Sequence, residues 1–238
     1  MKLDILAIAA HPDDAELSCS GTIAAHIAKG YKVGILDLTK GEMGTRGTPE
    51  IRMQESAASS DILGLTVREN LGFKDIYFKD DTSHQEAIAR VLRKYQPEIV
   101  LANAITDRHP DHGKGGSLAS HACFISGLRK LETDLDGVPQ EAWRPKYIYH
   151  YIQNNFIEPE LVVDISAYWE IKKNSILAFK SQFHDPNSRE PESFISRPDF
   201  LDFIEARARE MGHKINVKFG EGFTVERVAG VKNLFDLI

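Results

Sequence analysis

The chain has 238 residues, enough to bury a substantial core, and it reads as a single domain spanning 1–238. Hydrophobic residues make up 42% and charged residues 27%, a globular balance that excludes a disordered majority. With 29 Lys plus Arg against 35 Asp plus Glu, the net charge of -6 leaves no electrostatic footprint for nucleic acid or an anionic membrane, so a small-molecule substrate is expected.

Residues 3–10 form a short apolar run that stops at the His11-Pro12 turn signal. The run is too short, and too soon followed by charge, for a signal peptide or a membrane span, and a cytoplasmic protein is expected. Residues 15–29 carry apolar positions at helical spacing and end at Gly30, a C-cap candidate, so a strand is followed by a helix. Residues 32–39 predict a second strand, the stretch Gly41 to Gly47 a loop, and 49–63 a helix with Pro49 in its first turn and Gly64 at its end. A strand at 67–71, a helix at 84–95, a strand at 98–102 and a helix at 114–130 continue the alternation. Strands are expected at 146–152 and 161–165, helices at 166–179 and 199–211, a polar loop at 184–197 and extended chain at 216–228. This alternation marks βαβ units, so the expected fold is α/β, one Rossmann-like doubly wound domain with a mostly parallel sheet. Cys19 and Cys123, far apart and without metal-type or redox-type spacing, suit a reducing compartment and read as buried thiols.

In open α/β sheets, sites form at the carboxyl ends of the strands. Both His-Pro-Asp segments of this chain fall there: His11-Pro12-Asp13-Asp14 after the first strand, and His109-Pro110-Asp111-His112 after the strand at 98–102. A shuffled chain of this composition holds roughly 0.03 copies of His-Pro-Asp, so the pair is a specific signal. A lone copy is as well explained as a turn whose Asp caps the next helix. A catalytic zinc takes three protein ligands from His and carboxylate and keeps a fourth position for water. His11 and Asp14 from one loop and His112 from the other make that set, with one zinc per chain. Asp13 is then free to act as general base, and His109 to stabilise an oxyanion if Asp111 holds it protonated. Arg52 and Arg108 are candidate substrate clamps, with surface salt bridges an equal reading, and Glu42 in the glycine-rich loop joins them as a substrate-binding candidate. The remaining residues His26, His84, His121, His150 and His213 read as structural or solvated, and His184 opens the polar loop. The same clusters would also suit a two-metal phosphoesterase or a non-catalytic metal-binding domain.

At Ala10-His11-Pro12-Asp13-Asp14-Ala15-Glu16 and Arg108-His109-Pro110-Asp111-His112-Gly113 the sequence resembles the LmbE-like (PIG-L) family of zinc N-deacetylases. The likeness continues through Gly21-Thr22-Ile23-Ala24, Asp37 to Glu42, Arg52 with Glu55, Asn70-Leu71-Gly72-Phe73, Ser181-Gln182-Phe183 and Gly220-Glu221-Gly222-Phe223. Within the family it is most similar to the bacillithiol-biosynthesis branch that acts on N-acetylglucosaminyl-malate, including the segment Ile125 to Lys130. The resemblance implies zinc held by His11, Asp14 and His112, Asp13 as base, and His109 supported by Asp111 as electrostatic stabiliser and acid. It also implies hydrolysis of the acetyl group from an N-acetylglucosamine-type amino sugar, a Rossmann-like fold, and a homo-oligomer, hexameric in close relatives.

Overall fold

The alternating pattern of the sequence folds into a seven-stranded sheet of order β3-β2-β1-β4-β7-β9-β8 with helices on both faces. This computed structural model describes residues 1–238, residue 236 by its backbone alone. In chain order the elements are β1 (Ile5–Ala9), α1 (Asp14–Ala28), β2 (Val33–Thr39), α2 (Pro49–Leu63), β3 (Val67–Phe73), α3 (Thr82–Tyr95), β4 (Ile99–Ala102) and α4 (Pro110–Ser126). A small hairpin, β5 (Asp134–Leu135) with β6 (Val138–Pro139), precedes β7 (Tyr147–Tyr151), β8 (Leu161–Asp164), α5 (Trp169–Leu177), α6 (Phe200–His213) and β9 (Gly220–Val225). Strands β3, β2, β1, β4 and β7 are parallel; β9 runs antiparallel between β7 and β8, so the expected mostly parallel sheet is present. Among the described residues, no helix is long and apolar enough to cross a membrane.

Strands buried on both faces read as continuous apolar runs, and β1 (Ile-Leu-Ala-Ile-Ala) is buried at every position. Its Leu6 and Ile8 pack under α3 and α4 with Ile88, Leu92 and Leu118, while Ile5, Ala7 and Ala9 pack under α1 with Cys19 and Ile23. Both cysteines are buried and unpaired, as expected.

Helix starts follow local chemistry. Thr48 caps α2 by accepting from the Ile51 N–H, Pro49 takes the first turn, and Gly64 closes the helix at φ 73°. Helix α4 begins at Pro110 rather than at 114, because the His109 side chain caps it by accepting from the Asp111 N–H and Pro110 needs no amide partner. The second His-Pro-Asp segment is therefore a helix start.

The sheet order places β1 between β2 and β4, with Ala7 opposite Leu101. From β1 the chain crosses to β2, and from β4 it crosses to the other side, so the strand order reverses between these neighbours. A crevice opens where the loops leave the strand ends in opposite directions. Helix α4 reaches this crevice closely because a Cβ at Gly116 would stand 2.7 Å from the Asn103 carbonyl oxygen.

Candidate active site

Both His-Pro-Asp segments meet in that crevice. The Ala10 N–H is held by Asn103 Oδ1 at 2.8 Å, which ties the end of β1 to the end of β4. Beyond it the backbone turns through Asp13 at φ 108°, a left-handed conformation rare for a side chain that has a Cβ. Such strain persists only when surroundings enforce it. Asp13 occupies the N-cap of α1 but makes no capping bond with its side chain, so the simple turn-and-cap explanation of this segment fails. Its carboxylate lies 3.0 Å from Arg52 Nη2 instead.

The Asp14 carboxylate faces both predicted histidine ligands, with Oδ2 3.4 Å from His11 Nδ1 and Oδ1 3.0 Å from His112 Nε2. The opposite ring nitrogens also meet carboxylates. His11 Nε2 lies 3.1 Å from Asp75 Oδ1 and 3.3 Å from Asp111 Oδ2, and His112 Nδ1 lies 2.6 Å from Asp107 Oδ2. Metal-ligating histidines characteristically use one nitrogen for the ion and give the other to a carboxylate that fixes the ring. Amides hold Asp14 in turn, with Asn103 Nδ2 donating to Oδ2 at 3.1 Å and Gln153 Nε2 to Oδ1 at 3.3 Å.

Charge tests the fit to a cation. Burial opposes the imidazolium of His11, yet Asp111, Asp14 and Asp75 outweigh it and hold its pKa well above the usual value. His112 is likewise buried, and Asp14 and Asp107 raise it to about 9. Of these carboxylates only Asp14 lies between the two rings, and a divalent ion bound there by nitrogen and oxygen would replace the protons that the rings otherwise hold. Nitrogens of His11, His109 and His112 fall within 4.8 Å of one another, and so do ligand atoms of His11, Asp75 and Asp111. The second group is better read as a brace: Asp75 Oδ2 accepts from the Met43 N–H, Asp111 Oδ2 from the Ile76 N–H, and Lys114 Nζ stands 2.6 Å from Asp111 Oδ1. Asp14 faces both His11 and His112, a nitrogen and oxygen donor set of the kind zinc takes, whereas the Asp13 carboxylate turns to Arg52.

Burial pushes the Asp13 carboxyl up to about 7, Arg52 and His11 pulling against it and Asp14 adding to it. A group poised there can take a proton from water near neutral pH. His109 is depressed by burial and by the cationic forms of His11 and His112. The expectation that the Asp111 carboxylate holds His109 protonated is corrected: that carboxylate is spent on His11, Ile76 and Lys114. Asp111 reaches His109 through its backbone N–H, 3.3 Å from Nδ1, and an accepting Nδ1 leaves the proton on Nε2. Neutral His109 is thus a hydrogen-bond donor.

A sequence profile of the PIG-L family, GlcNAc-PI de-N-acetylase, matches residues 6–123. A diacetylchitobiose deacetylase of Thermococcus kodakarensis is 30% identical over 75% of this chain and 70% of its own length. The chain belongs to the PIG-L family. Another relative carries a different chemistry in its name: a 4-oxalmesaconate hydratase of Pseudomonas putida is 28% identical over 75% of this chain and 74% of its own. Among solved structures, the conserved protein TT1542 of Thermus thermophilus superposes with a TM-score of 0.86 at 37% identity, covering 98% of each chain.

This PIG-L chain departs from expectation at the substrate candidates. Arg52 is buried and bonds to Asp13, to the Pro12 carbonyl and to the Gly41 carbonyl, so its guanidinium is spent within the protein. Gly41 permits this approach, since a Cβ there would stand 1.9 Å from Arg52 Nη1. Glu42 is exposed and outside the cleft lining; its Oε1 accepts from the Asp75 N–H. Arg108 does line the cleft, exposed, with its guanidinium 4.0 Å over the Phe194 ring and no ion-pair partner among the described residues. Phe194 and Ile195 bring the 184–197 loop to the cleft, whereas His184 is exposed outside it. Asp75, Asp107, Asn103 and Gln153 received no role from sequence reasoning. Asp107 directly precedes the Arg108 to Gly113 segment, and Asp75 follows the Asn70 to Phe73 landmark, but neither position carries a local chemical signal.

Proposed function

We propose that the protein is a zinc-dependent N-deacetylase of N-acetylglucosamine conjugates, with His11, Asp14 and His112 holding one zinc per chain. The observation that carries this reading is Asp13, a buried carboxylate free of the ligand set, beside the histidines and held toward the cleft by Arg52. When bound, the ion would acidify water and polarise the acetamide carbonyl. Asp13 takes the proton of the attacking water. His109, with its proton on Nε2, donates a hydrogen bond to the developing oxyanion, and Asp13 gives the proton it took from water to the leaving amine. Asp75, Asp107 and Asp111 keep the ligand rings oriented. Family membership favours amide hydrolysis over a metal phosphoesterase.

The finer reading is N-acetylglucosaminyl-malate as substrate, supported by the motif likeness and by Arg108 at the cleft, an unpaired fork for a carboxylate. Arg46, a third arginine of this region, is not available, as Nε donates to the Ser181 carbonyl. Comparing kcat/KM for the malate glycoside, the methyl glycoside and free N-acetylglucosamine tests it: the malate glycoside should lead, and equal values would remove the malate. Hydration of an unsaturated carboxylate, after the Pseudomonas relative, is the second reading. A hydratase should consume 4-oxalmesaconate without releasing acetate from any amide.

A further inference from the structure

Ile76 carries a backbone conformation that its own side chain opposes. It sits in the turn after β3 at φ 67°, in the left-handed region where a β-branched residue is a genuine outlier. A glycine would take the same turn without that cost. The conformation is enforced from both ends of the residue: its N–H donates to Asp111 Oδ2 at 3.0 Å, and its carbonyl accepts from Lys114 Nζ at 2.8 Å. Strain of this kind gathers where a site needs a side chain in a fixed place.

Core packing is not what Ile76 serves. Its side chain is 39% exposed, lines the cleft, and joins none of the four core clusters among the described residues. Met43, from the loop after β2, shares these properties: it is 56% exposed, on the cleft wall and outside those clusters. The same carboxylates set both residues in register with His11. Asp111 Oδ2, which holds the Ile76 N–H, lies 3.3 Å from His11 Nε2. Asp75, whose Oδ2 accepts from the Met43 N–H at 3.0 Å, places its Oδ1 3.1 Å from that same nitrogen. Two apolar side chains are thus fixed to the groups that orient His11, where the atoms flanking a reacting amide lie.

We propose that Ile76 and Met43 form a lip that positions the substrate by packing on apolar C–H surface next to the scissile amide, an inference that rests on the deacetylase reading above. N-acetylglucosamine has such surface on both sides of that bond, in the acetyl methyl and in the C–H groups of the ring, so the lip finds a partner in either orientation of the amide. Neither side chain can move a proton, and both act on binding.

The test compares Ile76→Ala, Ile76→Gly and Ile76→Val in the zinc-loaded full chain, with the methyl glycoside of N-acetylglucosamine as substrate. Alanine keeps the strained backbone and removes three carbons, each worth up to about fourfold in binding when buried, so kcat/KM should fall about tenfold, carried mainly by KM. Glycine should lose as much activity yet melt at a higher temperature than the alanine variant, since it alone relieves the turn. Valine, one carbon shorter than isoleucine, should stay within about fourfold of wild type. Met43→Ala should raise KM in the same way, and zinc affinity should be unchanged in all four variants. Wild-type kcat/KM in the alanine and glycine variants, an alanine variant that melts above the glycine one, or a loss of turnover that tracks a loss of zinc would each overturn the lip and leave the deacetylase standing. No amine released from the glycoside by the wild-type protein would overturn both.

Discussion

The Arg52 guanidinium lies 3.0 Å from the Asp13 carboxylate, both residues being buried, so the carboxylate left outside the ligand set is held by a cation from α2. Removing that cation as Arg52→Met leaves a buried carboxylate without its partner. Arg52 lowers the Asp13 pKa from the position burial would give it, so the variant's Asp13 should titrate above about 7. A raised carboxyl pKa costs stability as pH climbs from the unfolded value to the folded one, and the cost is constant beyond that point. Wild type stops losing stability near pH 7, whereas the variant continues to lose it. With chelator present, the gap in Tm should open above about pH 7 and be small at pH 5.5. A gap of equal size at both values would show that Arg52 acts through packing alone.

His11→Ala and His112→Ala should each lose zinc on dialysis, because one of three protein ligands is gone. Asp107→Asn, which weakens the partner 2.6 Å from His112 Nδ1, should retain zinc with roughly 10- to 100-fold lower affinity. Metal analysis and chelator competition measure both effects. Full zinc occupancy in the two alanine variants would contradict the ligand set.

Asp13→Asn should bind zinc yet lose turnover by ~10²–10⁴-fold, as an amide cannot accept the proton. Turnover at the wild-type level would remove Asp13 from the reaction.

Under the cleft, Lys172 and Glu221 form an ion pair of 2.7 Å with both side chains buried, and Glu221 also receives the Gly21 and Thr22 N–H groups of α1. Lys172→Met should cost about 3–5 kcal/mol in urea unfolding, since it strands a buried carboxylate. A loss below about 1 kcal/mol would show that the backbone donors alone satisfy Glu221.

The β-α alternation and the two His-Pro-Asp segments were legible because they are local: apolar runs ending in a turn signal define β1 and β4, and neighbouring residues make each loop. What depends on distant packing was not legible. Arg52 looked like a clamp because nothing in α2 announces that the φ of 66° at Gly41 leaves room for its guanidinium beside Asp13. Asp111 looked like the partner of His109 because the two are close in sequence, yet the helix start at Pro110 gives His109 the Asp111 amide and sends the carboxylate to His11. Gln153 lies 139 positions from Asp14 and meets it only because β7 is the next strand beyond β4. The hairpin β5-β6 is too short to leave a period in the sequence.

The central claim, metal-dependent amide hydrolysis on an amino sugar, is tested most directly by assaying acetate and free amine from N-acetylglucosamine glycosides as zinc is added to chelated protein. Acetate and amine should appear in equal amounts, in proportion to zinc up to one ion per chain, and fall away in Asp13→Asn. Zinc bound at one ion per chain with no acetate released from any glycoside would contradict the account.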